Sequence, residues 1–133
     1  MLNETKKGLF DLLTGSNIFG TAIKGQVYFE EANEDSKYPL AIINDVAPDI
    51  KVDSATVMPI EIFQIRILDY TSSSKSVGEL TERLWNVLDN AEQTLIISGY
   101  HILSILDVPP RGYTYKTDLI WNSITGYKIQ LQK

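Results

Sequence analysis

The sequence predicts an α+β domain: a mostly antiparallel sheet with two helices packed on one face. Three observations carry this. A helix-period segment opens the chain, and a second and clearer one lies at 76–91. Runs rich in isoleucine, valine and aromatic residues fill the spaces between and after them. No glycine fingerprint or alternating strand-helix repeat marks a parallel nucleotide-binding sheet. At 133 residues the chain is expected to form a single domain, 1–133, long enough to bury a core without disulfides or metal.

In chain order, residues 2–13 read as a helix. Leu9, Phe10, Leu12 and Leu13 gather on one side, and Gly15 stands where a left-handed cap would end it. Residues 17–24 lead to a strand at 26–30, a polar turn at 32–37, and a second strand at 40–46, which Pro39 prepares by holding Tyr38 extended. Residues 60–70 form the longest strand, with a change of phase between Ile62 and Phe63 that a bulge would explain. Ser76-Val77-Gly78-Glu79 fits a capping box for the second helix. Val77, Leu80, Leu84, Val87, Leu88, Ala91 and Leu95 then follow at helical spacing, and Glu79 and Arg83 form an i,i+4 pair. After Gly99 a strand runs over 100–108 and Pro109-Pro110 stops it. A loop over 111–116 precedes a last strand bearing Leu119, Trp121, Tyr127, Ile129 and Leu131 on one face, with a turn or bulge within 122–126.

Composition excludes several chemistries. There is no cysteine, so disulfide frameworks, thiolate zinc sites and cysteine nucleophiles are absent. A net charge of −5 repels a phosphate backbone, which argues against gripping nucleic acid. No stretch has the length of a membrane span or signal core, so a cytosolic protein, or one assembled from the cytosol, is expected. His101 sits within a strand without a nucleophile elbow nearby and reads as a surface or interface histidine rather than a catalytic one. Asp45, Asp49 and Asp53 recur every four residues, but Pro48 prevents a helix from stacking them, and a solvated acidic loop is expected. Glu30 and Glu31 point to opposite faces of a strand and cannot act as a pair. No enzyme, cofactor or metal site is predicted.

Two segments read as contact surfaces. Residues 44–59 form either a protruding hairpin or a loop, whose Ile50, Val52, Val57 and Met58 would need a partner if it projects; the alternative is that the segment folds back onto its own sheet. Arg111, Tyr113 and Tyr115 follow the rigid Pro109-Pro110 pair and are residue types enriched at interface hot spots. The alternative is a plain surface loop whose tyrosines cover the edge of the core.

The order of elements resembles the tail-completion, or tail-to-head joining, proteins of long-tailed bacteriophages and the related tail terminators. Four pieces carry the likeness: the helix ending near Leu13; Gly25-Gln26-Val27-Tyr28 leading through a polar turn to Tyr38-Pro39-Leu40-Ala41-Ile42-Ile43; the strand 63–70; and the helix 76–91 with Leu84 and Leu88. The resemblance spans nearly the whole chain but contains no specific motif. It implies a structural virion protein of the tail or neck, assembled in the host cytoplasm. Such proteins form a homo-oligomeric ring, typically hexameric, at the head-proximal end of the tail tube. They end tube polymerisation and join tail to head. Expected partners are other copies, the tail tube protein and a connector or stopper of the head, with DNA passing through unbound and no membrane involved. The family carries no catalytic residues. A second neck component, such as a head-completion or stopper protein, and a small cytosolic binding domain or enzyme are the rival readings.

Overall fold

The computed structural model describes residues 1–33, 35–46, 59–71 and 73–133. Helix α1 (Asn3–Gly15) is followed by β1 (Val27–Phe29), β2 (Leu40–Val46), β3 (Ile60–Asp69), α2 (Lys75–Leu88), a single 3-10 turn (Ala91–Gln93), β4 (His101–Thr117) and β5 (Ile120–Gln132). The five strands lie in the order β1-β2-β3-β5-β4. All pairs are antiparallel except β1 with β2, which run parallel. The polar segment after β1 is therefore a crossover, which begins at Glu30 with φ of 67°.

Both helices cover the same side of the sheet. Strand β3 alternates without interruption, placing Glu61, Phe63, Ile65, Ile67 and Asp69 on that side. Leu9 and Leu13 of α1, and Val77, Leu84 and Leu88 of α2, close over Phe63, Ile65, Tyr127 and Ile129 in one core. The expected bulge at Ile62–Phe63 is absent, because the two end positions of the buried row are carboxylates rather than apolar residues. Glu61 accepts the N–H of Leu2 and so caps α1, and Asp69 accepts the hydroxyl of Ser76. That second bond also corrects the capping box: Ser76 lies inside the helix, and the N-cap residue Ser74 makes no side-chain cap. Arg83 donates to the carbonyl of Ile18 rather than pairing with Glu79.

Three further expectations are corrected. Gly15 stays within α1, which ends at an extended Ser16; that residue's Oγ accepts the N–H groups of Ile18 and Phe19 and turns the chain so that Phe19 and Ile23 are fully buried. Pro109-Pro110 does not stop β4: the prolines sit in a register shift between Val108 and Arg111, and residues 111–116 continue the strand. Proline is tolerated there because β4 is the edge of the sheet and owes no N–H to a further neighbour. Residues 122–126 pair continuously with β3, and the irregularities lie on β4 instead. Leu119 is 57% exposed at the hairpin tip and does not share the buried face.

Two glycines of α1 separate close packing from mere helix propensity. A Cβ on Gly8 would collide with the carbonyl of Ile96, whereas one on Gly15 meets nothing within 4 Å. Gly8→Ala is expected to lower stability in urea denaturation by about 1–3 kcal/mol despite the better helix former. Gly15→Ala is expected to be neutral or to gain up to about 1 kcal/mol.

Candidate assembly surfaces

Between α2 and β5 runs a seam of polar side chains, buried at Thr81, Ser123, Thr125 and Tyr127 and part-exposed at Trp85 and Asp89. The hydroxyls of Thr81 and Ser123 meet at 2.7 Å; the indole N–H of Trp85 donates to Thr125 Oγ1 at 3.1 Å; the phenol of Tyr127 donates to Asp89 at 3.3 Å. The same Thr125 oxygen accepts the N–H of Gly112 on β4 at 3.1 Å. Gly112 has φ of 70°, and a Cβ there would lie 2.8 Å from the Trp85 ring, so only glycine fits. Arg111 completes the join. Its guanidinium stacks 4.2 Å over Trp85 and donates to Asp89 at 2.8 Å, with Asp107 at 3.5 Å. The hydrogen bond to Asp89 holds this guanidinium even more firmly protonated than usual.

Arg111, Tyr113 and Tyr115 are thus parted. Arg111 pairs with Thr125, on the helix side, and is bound inward, while Tyr113 and Tyr115 register with Ile124 and Asn122 on the opposite side. The two tyrosine rings lie 5.7 Å apart, and Tyr113 is 61% exposed. Ile50, Val52, Val57 and Met58, with most of the expected hairpin and with Asp49 and Asp53, lie outside the described residues. Asp45 pairs with the Met1 ammonium, and His101 is exposed at the start of β4. Among the described residues no three of His, Asp and Glu gather as a metal site, and no helix is long and apolar enough to cross a membrane.

No described helix packs on the other side of the sheet; this open face is bare along β4, where Leu106 and Tyr113 are 52% and 61% exposed, and closed at β2, where Leu40 and Ile42 are 2% and 4% exposed. Strand registers place Leu40, Ile42, Arg66, Leu68, Ile124, Lys128, Leu106 and Tyr113 there. Arg66 and Lys128 are its cations. The carboxylates of the strands, Asp45, Glu61, Asp69 and Asp107, all register with the helix side. A second surface lies within the helix layer: a groove of about 470 Å³ between α1 and residues 94–98, lined by Gly8 and Leu12, with Ile96 at its rim and Glu4 and Asp11 along its edge. Neither the seam nor the groove follows from local sequence pattern. The seam left a faint mark, since Thr81, Trp85 and Asp89 recur every four residues while Ser123, Thr125 and Tyr127 recur every two.

No protein-family model and no curated protein matches this chain. Solved structures do share its fold. One is a chain of the virion of a native gene transfer agent particle, with a TM-score of 0.72 and 9% identity, over 94% of this chain and 92% of that one. Another, whose name states no function, gives a TM-score of 0.60 and 13% identity over 96% and 90%.

Burial in the seam, with the Asp89 charge beside it, pushes the Tyr127 phenol well above its ordinary value of 10.0. A raised folded value means that the phenol's contribution is complete below the unfolded value and is lost as pH rises beyond it. Urea denaturation of wild type and Tyr127→Phe should therefore differ by a constant amount, about 1 kcal/mol, up to about pH 10. Above that pH the difference should shrink, by at most about 1.4 kcal/mol per unit.

Proposed function

We propose that this chain is a structural virion protein, a subunit of a ring at the head-proximal end of a tail tube that ends tube growth and joins tail to head. The observation that carries the reading is the fold shared along 94% of the chain with a protein of a gene transfer agent virion. The resemblance in element order to tail-completion proteins supports the same class of function. So does the distribution of chemistry: the buried polar groups of the seam are occupied with one another, and what the domain offers outward is contact area. The open face exposes Leu106 at 52% and Tyr113 at 61%, and apolar exposure of this kind is normally covered in an assembly. A net charge of −5 also suits a passage through which DNA slides without adhering.

The test is assembly with tail tubes of the particle that encodes the chain. Added purified protein is expected to bind one tube end as a closed ring in electron micrographs and to halt elongation by tube subunits. Protein that stays monomeric at high concentration and leaves tube growth unchanged would overturn the reading. Binding to the head connector alone would move the protein to another position in the neck.

A further inference from the structure

We infer that copies of this chain join head to tail, the β4 border of the open sheet face of one, at Leu106, Lys128 and Tyr113, seated on the α1 groove of the next. The inference rests on the ring reading above and names the two surfaces that make the contact.

Charge selects the partner. Arg66 and Lys128 stand on the open face without an acidic residue in register beside them; Lys128 lies at the exposed β4 border beside Leu106, and Arg66 lies farther in, its Nε buried with no hydrogen-bond partner among the described residues. Two such faces laid together would bring like charges into a desolvated contact, so a symmetric pairing of open faces is unfavourable. The occupant must instead offer carboxylates around apolar surface. The groove along α1 does this: Ile96 is 77% exposed at its rim, Leu12 lines it, and Glu4 and Asp11 edge it. Lys7 is the one cation lining the groove, and it lies 3.7 Å from Asp11. Glu4 forms no ion pair among the described residues. The mating patch is equally defined. Leu106 and Lys128 are cross-strand partners, and Tyr113 stands farther along the same edge strand. An exposed apolar residue flanked by a cation thus faces an apolar groove flanked by carboxylates.

The two surfaces belong to opposite layers of one domain. Each copy therefore presents one used and one free surface, and addition continues in one direction until rotation closes it.

The test uses two variants at exposed positions, Leu106→Asp on the open face and Ile96→Asp at the groove, with circular dichroism melts to establish that both fold. Native mass spectrometry of wild type at high concentration, alone and with tail tubes, is expected to show rings. Each variant alone should be monomeric. Their equimolar mixture should give a heterodimer and nothing larger, because the one intact groove meets the one intact open face. Separately, Lys128→Glu and Glu4→Lys should each raise the concentration needed for assembly at least about tenfold, and the double variant should recover most of that loss. If either aspartate variant forms rings as wild type does, or the mixture builds complete rings, the head-to-tail contact is overturned while the tail-end function stands. Wild type that never forms rings, even with tubes, overturns both.

Discussion

The helix face of this sheet is keyed to a match of two repeats. Four residues of α2 advance about 6 Å along its axis, and two residues of β5 advance about 6.8 Å. Thr81, Trp85 and Asp89 can therefore meet Ser123, Thr125 and Tyr127 one after another. A purely apolar helix could slide along the strand at little cost. Here a slip of one turn would strand buried hydroxyls and an indole N–H, each worth about 1–3 kcal/mol when left unpaired. The seam also reaches the edge strand: Gly112 gives its N–H to Thr125, and Arg111 is held between Trp85 and Asp89, so β4 cannot shift independently of α2.

Fixing both helices to one side leaves the other side of the sheet without a helix among the described residues. The edge strand at its border is guarded. The Pro109-Pro110 irregularity interrupts the row of free backbone groups along β4, and Asp107 and Lys116 place charges on the strand. Indiscriminate pairing of β4 with a foreign strand is thereby discouraged, and the side chains of the open face become the features available for selective contact. Charge reinforces that selectivity, since the carboxylates of the strands register with the helix face and Arg66 and Lys128 with the open one.

The parts legible in the sequence were those fixed by local pattern. The β-branched runs located β2 and β3, and the apolar spacing of Val77, Leu80, Leu84 and Leu88 located α2. The parts that escaped depend on a partner distant in sequence. Ser76 looks like a cap until Asp69, at the end of a neighbouring strand, takes its hydroxyl. Pro109-Pro110 looks like a terminator unless β4 is known to be an edge. Arg111 was grouped with Tyr113 and Tyr115 because they are close in sequence, yet the irregular register of β4 sends the arginine to one face and the tyrosines to the other. Phe19 and Ile23 look like connector residues, and only the turn begun at Ser16 carries them into the core.

On the proposed head-to-tail contact, these interior and surface features are linked by the geometry of ring closure. In a head-to-tail ring every subunit carries both contacts, so any looseness in the angle between them is multiplied by the number of subunits before the last copy meets the first. On the proposed contact, one surface is carried by β4 through Leu106 and Tyr113, and the other by α1 with Ile96. The groove side is set by the close approach of Gly8 to the backbone of Ile96, which fixes residues 94–98 against α1. The open-face side is set by Arg111, which binds Asp89 at the end of α2, and by Gly112, which donates its N–H to Thr125 of β5, the acceptor of the Trp85 indole. An apolar core packed to ordinary density would fold this domain. The added polar seam holds the two outward surfaces at one angle, which the proposed ring would require more than a monomer does.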